Sequence, residues 1–325
     1  MLSVIVPIYN VSKFIPRNID TLSKQTLKSF EVIFVDDGSK DNSIEVLNDS
    51  LDKNEVNFEY TIVKKENGGL SDARNFGLRH AKYNLVSFLD PDDWLSENYY
   101  EELTSGLLLN KADVAISSHF EEWNKKTVKT IYSNRCINTQ DEKSCLWEYT
   151  WSACTKVFKK NLLEEGFDIG IYHEDLAYIP YVISKSNKIY VSEKAIYHYY
   201  RHGESILGSH NIEKELHTFK ALDKIANRLE SKNYQDESNY IALKMLILSF
   251  IPLNFGKYKN QRKLLTIETV NYLNNKKITK KEVSKLSEIG YLGTLEKMLI
   301  LFYLTSPYLG GYILYIMRLI YKVKY

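Results

Sequence analysis

Apolar runs typical of buried strands alternate with segments of helical periodicity through the first hundred residues of this 325-residue chain. The runs are rich in β-branched residues, and turn-forming residues separate them. Apolar strands that alternate with helices predict a parallel sheet covered on both faces. We therefore expect a doubly wound, mostly parallel α/β fold. The expected strands span 3–8, 31–35, 59–63 and 85–89, and the expected helices span 14–27, 43–51 and 70–82.

Polar side chains follow each of the four expected strands. In an open parallel sheet, ligands bind in the crevice beyond the carboxyl ends of the strands. The sequence therefore predicts that these side chains converge at one edge of the sheet. They are Tyr9 and Asn10, Asp36 and Asp37, Asn67 with Gly68 and Gly69, and the run Asp90-Pro91-Asp92-Asp93.

The turn after the first strand excludes two common kinds of nucleotide site. Its sequence, YNVS, lacks the glycine fingerprint of dinucleotide-binding folds, and no glycine-rich stretch of the chain ends in Lys followed by Ser or Thr. A divalent cation on the acidic run 90–93 could hold phosphates instead, because hard cations favour carboxylate oxygens. The alternative for such a run is a solvated acidic loop.

Six segments carry a further signal in their order and spacing: SVIVPIYN, FEVIFVDDGSKDNS, ENGGLSDARNFGL, FLDPDDW, YHEDLAY and YHYYRHGES. Together they resemble the family 2 glycosyltransferases of the A-type fold, which are inverting enzymes that use nucleotide sugars. The resemblance covers about the first 205 residues. It implies a catalytic domain over 1–205, with a nucleotide-sugar-binding half (1–100) and an acceptor half (101–205). A helical region follows over 206–325.

The resemblance also implies roles for residues at the expected sheet edge. Asp36 could bind a ligand, or it could equally be a helix-capping acid. The chemistry suits uracil, whose N–H donor and flanking carbonyls can be read by a carboxylate together with an amide or a guanidinium. By resemblance, Pro7 and Tyr9 lie against the nucleobase, Asp37 accepts from uracil, Asn67 and Arg74 help to seat the base, and Asp90 and Asp92 contact ribose, diphosphate and a Mn²⁺ or Mg²⁺ ion bound by Asp92.

The pair Glu174-Asp175 is the candidate for acid–base chemistry. An inverting transfer needs a base on the face opposite the leaving group. By resemblance, Asp175 is that base, and Glu174 orients it or raises its pKa by repulsion between neighbouring charges. The alternative is a pair of acids favoured at a helix amino terminus by the helix dipole.

Other candidates lie in or beside the matching segments. By resemblance, Arg201, His202 and Ser205 close over the diphosphate. His198 could complete the metal shell or simply belong to an amphipathic strand. Trp94 could stack on a sugar face of the acceptor, or be buried in the core.

Charge is divided unevenly along the chain. Residues 1–205 hold 24 basic and 31 acidic side chains, a net charge of −7, whereas 206–325 hold 19 and 10, a net charge of +9. The positive excess would attract an anionic membrane surface or a lipid-linked acceptor, unless these lysines are merely solvated. All residues over 298–317 are uncharged, but Pro307 and two glycines interrupt the run. This pattern favours two short interfacial helices over one spanning helix, with packing inside the protein or an oligomer as the alternative.

The compartment is suggested by cysteine usage and by the amino terminus. Three cysteines without a CxxC pair favour a reducing cytosol, and the chain begins without the features of a signal peptide. We therefore expect a cytoplasmic protein, with peripheral contact to the inner face of the cell membrane through its carboxyl-terminal helices. We expect no nucleic-acid partner.

These observations favour a metal-dependent inverting glycosyltransferase. It would move a single hexose or N-acetylhexosamine from a UDP-sugar to a glycan acceptor in bacterial capsule or cell-surface polysaccharide synthesis. Alternatives are glycan extension on a glycoprotein and a non-catalytic nucleotide-sugar-binding scaffold. A sugar-1-phosphate nucleotidyltransferase is disfavoured, because that chemistry requires a glycine-rich basic loop where this chain has Pro7-Ile8-Tyr9-Asn10.

Overall fold

The computed structural model describes residues 1–54, 56–203 and 211–321. The chain divides into two compact units, Met1–Ser209 and His210–Tyr325. This boundary lies four residues beyond the one expected at residue 205. Each unit has its own buried apolar core.

The first four strands form the parallel half of one sheet in the order β3-β2-β1-β4. All seven side chains of β1 and of β2 are buried, as expected for strands covered on both faces. The expected β-α-β-α-β-α-β order is confirmed. The elements are β1 (Leu2–Ile8), α1 (Ile15–Ser23), β2 (Phe30–Asp36), α2 (Ser43–Lys53), β3 (Glu59–Lys64), α3 (Leu70–His80) and β4 (Leu85–Phe88).

The same sheet continues past β4 with mixed strand directions, in the order β4-β9-β6-β10-β5. Strand β9 runs antiparallel to both β4 and β6, whereas β6 and β10 are parallel. Strand β9 therefore joins the two halves of the sheet. The elements are β5 (Trp94–Leu95), α4 (Tyr99–Leu109), β6 (Val114–Trp123), β7 (Lys126–Thr130), β8 (Arg135–Asn138), α5 (Cys145–Glu148), β9 (Lys156–Lys159), α6 (Glu174–Lys185) and β10 (Lys188–Tyr200).

The second unit is helical, as its periodicity predicted. Helices α12 and α13 meet at Ser306, so the uncharged run forms two helices. A Cβ added at Gly310 would lie 2.8 Å from the Cα of Tyr303, which explains why a glycine occupies this crossing. The helices are α7 (Ile212–Glu230), α8 (Gln235–Leu243), a π-helical segment (Lys244–Phe250), α9 (Ile251–Lys257), α10 (Arg262–Asn275), α11 (Lys280–Glu288), α12 (Thr294–Thr305) and α13 (Pro307–Tyr321).

Among the described residues, one helix is long and apolar enough to cross a membrane. It runs from Gln235 to Lys257, with a mean hydropathy of 1.3 over its most apolar window, and 72% of that window is buried inside the protein. Such burial is typical of a core helix. Helices α12 and α13 instead expose several apolar side chains, namely Leu295, Met298, Phe302, Leu309, Ile316, Leu319 and Ile320.

Candidate functional site

The loops after β2 and β3 meet at the carboxyl edge of the parallel strands, where the sequence placed the site. The carboxylate of Asp37 is buried and accepts hydrogen bonds from Lys65 Nζ (2.6 Å) and from the backbone N–H groups of Gly68 (2.9 Å) and Gly69 (2.8 Å). Asn67 Nδ2 donates to the backbone carbonyl of Asp37 at 3.0 Å and more weakly to Asp37 Oδ2 at 3.3 Å. Gly69 has a positive φ of 83°, which L side chains rarely adopt.

Asp37 therefore organises the glycine turn in this structure. Its two oxygens already accept from four donors, so a uracil N–H would have to replace one of them. The neighbouring Asp36 accepts from Ser39 N–H at 2.8 Å and serves as a turn acid. Pro7 is buried in β1, and Tyr9, 43% exposed directly after it, remains free to cover a base.

Arg74 joins the two halves of the first unit. It lies on α3 with 1% exposure, and its Nη1 donates to Glu174 Oε1 (2.9 Å) and Asp175 Oδ1 (3.0 Å). Its Nη2 donates to Asp90 Oδ1 at 3.1 Å. Burial by itself lowers the pKa of this guanidinium, but Asp175, Asp90 and Glu174 raise it well above its ordinary value. We expected Arg74 to help seat the nucleobase; in this structure its guanidinium binds the carboxylates of Asp90, Glu174 and Asp175.

Asp175 is an acid at the start of α6 whose pKa is raised. It lies in the first turn of α6, as the sequence predicted, and its Oδ2 accepts from Ala153 N–H at 3.2 Å. Burial raises the pKa of Asp175, Arg74 lowers it, and Glu174 and Asp90 raise it again, with the result near 7. A carboxyl that titrates near neutrality can accept a proton at physiological pH. Helix α6 begins at Glu174, so both acids also face the positive end of the helix dipole.

The three aspartates of the acidic run have three different partners. Asp90 binds Arg74, and Asp92 Oδ2 lies 2.8 Å from His202 Nε2. Asp93 is buried, where it accepts from Tyr197 OH at 2.5 Å and from the backbone N–H of Tyr200 at 2.8 Å. Burial raises the pKa of Asp92, as does Asp90, while His202 opposes the shift. Asp93 is thus an anchor for the end of β10, and Asp90 and Asp92 remain partly exposed.

The imidazole beside Asp92 belongs to His202 and not to His198. The ring of His198 stacks on Trp94 with centroids 5.2 Å apart, and its Nδ1 lies 2.9 Å from Glu122 Oε1. We expected His198 either to complete a metal shell or to belong to an amphipathic strand, and these contacts favour the strand. The same stacking occupies Trp94, which also lies 4.1 Å from the guanidinium of Arg17.

Of the remaining predicted residues, Arg201 directly follows β10. Arg201 Nε donates to Glu121 Oε2 at 3.3 Å, and its guanidinium lies 4.2 Å from the ring centre of Tyr199. Ser205 lies outside the described residues.

The residues at Asp92 fit a divalent cation in chemistry. An oxygen of Asp92 and the Nε2 atom of His202 lie 2.8 Å apart, and both are donor types that Mn²⁺ and Mg²⁺ or related divalent cations can use. Burial, and to a smaller extent Asp90, raises the pKa of Asp92. Within the described ranges, no group of three His, Cys, Asp or Glu side chains could hold a metal. The protein would therefore contribute Asp92 and His202, and the other ligands would come from bound substrate and water.

Sequence reasoning missed the contacts of two cations, the half-buried Arg17 and the fully buried Lys156. Arg17 donates to the backbone carbonyl of Asp92 and so fixes the acidic run. Lys156 is fully buried, and its Nζ donates to the backbone carbonyls of Thr150 (2.5 Å) and Ser152 (2.8 Å), in the loop that also presents Ala153 N–H to Asp175. Burial lowers the pKa of Lys156 to about 7. No local pattern marks either residue, because helical and strand periodicities predict burial only of apolar side chains.

Comparison with known sequences decides the family. The sequence model described as Glycosyl transferase family 2 matches residues 3–167, just over half of the chain. The chain belongs to this family. The matched region contains the parallel strands, the acidic run and Arg74, whereas Glu174 and Asp175 lie beyond it.

Curated relatives match parts of the chain. Glycosyltransferase GlyA of Streptococcus pneumoniae serotype 4 is 32% identical over 215 residues, which are 61% of this chain and 30% of GlyA. The uncharacterized glycosyltransferase EpsJ of Bacillus subtilis is 26% identical over 63% of this chain and 62% of EpsJ. TarP of Staphylococcus aureus, a poly(ribitol-phosphate) beta-N-acetylglucosaminyltransferase, is 33% identical over half of each protein. The chain thus spans under a third of GlyA and under two thirds of EpsJ.

Solved structures share the fold. A crystal structure of TarS from Staphylococcus aureus matches with a TM-score of 0.70 over 97% of this chain and 90% of the TarS chain, at 19% identity. A second TarS structure, in complex with UDP-GlcNAc, matches with a TM-score of 0.68. At this identity the likeness concerns the fold alone, and it confirms the expected α/β class with a helical carboxyl-terminal region.

Proposed function

We propose that this chain is a metal-dependent inverting glycosyltransferase that adds a single sugar from a UDP-sugar to a glycan of the bacterial cell surface. The observation that carries the proposal is the position of Arg74. Its guanidinium donates to Asp90 Oδ1 at 3.1 Å and to Asp175 Oδ1 at 3.0 Å. Asp90 follows β4, and Asp175 lies at the start of α6. The carboxylate proposed for the donor side and the proposed base thus contact the same guanidinium.

In the proposed reaction Asp175 removes the proton from the acceptor hydroxyl. Arg74 on Oδ1 and Ala153 N–H on Oδ2 fix the plane of this carboxylate, so that it does not rotate away from the acceptor. Since the pKa of Asp175 is near 7, set by burial against the effect of Arg74, much of it is ionised at neutral pH. Glu174 shares the same nitrogen of Arg74 and acts through Asp175 as a positioning residue.

The donor diphosphate would lie beside the acidic run. Asp92 and His202 would hold the Mn²⁺ or Mg²⁺ ion, which supplies positive charge against the leaving diphosphate. Arg17 holds the backbone carbonyl of Asp92, and the side chain of Asp93 anchors the residue that follows, so that the carboxylate of Asp92 stays at the rim. The nucleobase would lie farther along the same edge, beside Tyr9 and Asn67.

The relatives suggest substrates for this chain. TarP is named for transfer of N-acetylglucosamine to poly(ribitol phosphate), and TarS has been crystallised with UDP-GlcNAc. We therefore propose UDP-GlcNAc as the donor to test first and a surface polymer as the acceptor. We also propose a cytoplasmic location, supported by three cysteines without disulfides among the described residues, and contact of the exposed apolar side chains of α12 and α13 with a membrane surface.

The test measures UDP release from a panel of UDP-sugars with Mn²⁺ or Mg²⁺. We expect Asp175→Asn to lose at least a hundredfold in turnover and still bind UDP, because general-base contributions are about 10²–10⁴-fold. We expect a similar loss of turnover in Asp92→Ala, because this variant removes a proposed metal ligand. Asp49→Asn on the exposed face of α2 is the matched control and should keep parental activity. Parental turnover in Asp175→Asn would overturn the assignment of the base. UDP binding without turnover in the wild-type protein would favour a non-catalytic scaffold.

A further inference from the structure

Lys156 is a fully buried side chain of β9 for which the proposed reaction has no role. Its Nζ donates to the backbone carbonyls of Thr150 at 2.5 Å and Ser152 at 2.8 Å, and to Thr155 Oγ1 at 3.1 Å. These three acceptors match the three N–H donors of an ammonium group. Burial of such a group is costly unless it is fully hydrogen-bonded, and here all three bonds go to one loop, 150–155.

The peptide unit between Ser152 and Ala153 connects this lysine to the proposed base. Its carbonyl oxygen accepts from Lys156 Nζ at 2.8 Å, and its N–H donates to Asp175 Oδ2 at 3.2 Å. The described peptide bonds are trans, so the carbonyl and the N–H of one peptide unit point in opposite directions. The ammonium group and the carboxylate therefore lie at the two ends of a single peptide dipole.

The two charges polarise this peptide unit in the same direction. A cation at the carbonyl oxygen makes the N–H a stronger donor, and a stronger donor stabilises the carboxylate that accepts from it. The ammonium group also fixes the plane of the peptide, and with it the direction of the N–H of Ala153. Lys156 can thus favour the ionised form of Asp175 through the peptide between them.

The rest of the loop has a separate support. Tyr99 OH donates to the backbone carbonyl of Cys154 at 2.9 Å, and Ser152 Oγ accepts from the N–H of Cys154 at 3.3 Å. Neither bond involves the peptide unit that reaches Asp175. The contacts that hold the loop can therefore be removed separately from the contact that reaches the base.

We propose that Lys156 is a positioning residue for the base, which holds the Ser152–Ala153 peptide so that its N–H meets Asp175 and favours the ionised carboxylate. This inference rests on the proposed function and adds a residue to its acid–base chemistry.

Other charged and titratable groups also act on the two ends of this peptide. Lys156 faces the thiol of Cys154 as well as Asp175. Burial lowers the pKa of Lys156 to about 7, so its charge is present below that pH and is lost above it. Its effect on Asp175 should follow the same pH dependence. Asp175 also faces three charged groups on its other sides, namely Arg74, Glu174 and Asp90.

The test compares the pH dependence of kcat for UDP release between pH 5.5 and pH 9 in three variants of the full chain. Lys156→Met removes the cation. Ala153→Pro removes the N–H at the first position of a 3₁₀ turn, where proline is tolerated after the extended Ser152, whose ψ is 129°. Tyr99→Phe is the matched control, because it removes a buried hydroxyl from the same loop but not from this peptide.

We expect Lys156→Met and Ala153→Pro each to raise the apparent pKa of the acidic limb by about half a pH unit or more, because the ionised carboxylate loses support. The loss of kcat should be greatest near pH 6 and shrink toward pH 9. Tyr99→Phe should leave the acidic limb in place. If Lys156 acts through the peptide, Lys156→Met should add no further shift in the Ala153→Pro background.

A second measurement does not depend on turnover. The pH titration of the Ala153 amide, in full chain labelled with ¹⁵N-alanine, follows the ionisation of the carboxylate that accepts from it. Its midpoint should lie at higher pH in Lys156→Met than in the wild type.

The proposal would be overturned by an unchanged acidic limb and amide midpoint in Lys156→Met, by an equal shift in Tyr99→Phe, or by fully additive shifts in the double variant. If Lys156→Met does not fold, an unchanged acidic limb in Ala153→Pro overturns it instead. A wild-type chain that releases no UDP is a separate result. It would overturn the proposed function, while the amide titration still tests the effect of Lys156 on Asp175.

Discussion

Replacing Arg74 with methionine would remove the cation that Asp90, Glu174 and Asp175 share, while keeping a long unbranched side chain. Loss of one partner from a buried ion pair costs about 3–5 kcal/mol. The three carboxylates remain 14–23% exposed, so water screens part of the uncompensated charge. We therefore expect Arg74→Met to lower the free energy of unfolding by about 3 kcal/mol at pH 8.

This loss should shrink as the pH falls. Burial raises the pKa of Asp175 and Arg74 lowers it, so removing Arg74 moves the folded-state pKa further above the unfolded value. For an acid with a raised pKa, stability is fully present below the unfolded pKa and is lost as pH rises through the folded pKa. The difference in the free energy of unfolding between Arg74→Met and the wild type should therefore be smaller at pH 5 than at pH 8.

Chemical denaturation at pH 5, 6, 7 and 8 measures both effects. Arg79→Met is the matched control, because Arg79 is exposed on the same helix α3 and should change stability by no more than about 0.5 kcal/mol. The reasoning would be refuted if Arg74→Met cost no more than Arg79→Met, or if its cost were the same at pH 5 and pH 8.

Three further predictions concern the metal, a buried lysine and the carboxyl-terminal helices. His202→Ala should raise the Mn²⁺ concentration needed for half-maximal UDP release at least tenfold, whereas His198→Ala should not; equal effects would contradict the assignment of His202. Because burial lowers the pKa of Lys156 to about 7, wild-type stability should rise between pH 7 and pH 10 relative to Lys156→Met, by up to about 1.4 kcal/mol per pH unit in denaturant titrations; parallel curves would contradict it. In flotation with anionic vesicles, the wild-type chain should float and the double variant L295E/M298E should not; unchanged flotation of the variant would exclude this face as the contact.

The parallel half of the sheet could be predicted almost to the residue. The expected strand 31–35 is β2 (Phe30–Asp36), and the expected strand 85–89 is β4 (Leu85–Phe88). Continuous apolar composition marks a strand buried on both faces, and this signal is local.

The mixed half was predicted less well. Strand β5 has two residues and pairs with β10, about a hundred positions away, so no local periodicity marks it.

The site was predicted as a set of residues but not as a set of contacts. The sequence placed Asp37, Asp90, Asp92 and Asp175 among the candidates, and the structure brings Asp90 and Asp175 to one guanidinium. The sequence did not indicate that Arg74 would supply that guanidinium, since its two partners in α6 lie 100 and 101 positions away. The adjacent residues Asp92 and Asp93 have different surroundings, which are also set by residues about a hundred positions away. Asp92 faces His202, and Asp93 is buried against Tyr197.

By itself, the sequence determined the alternation of strands and helices, the edge of the sheet where ligand groups gather, and the helical character of the last third. These follow from side-chain periodicity and turn chemistry, which act over a few residues. Only the tertiary structure decided which cation meets which carboxylate, which histidine lies beside Asp92, and that Lys156 is buried beneath the loop of Ala153. Such pairings depend on distances between segments far apart in the chain, and burial then sets the pKa values on which the proposed chemistry depends.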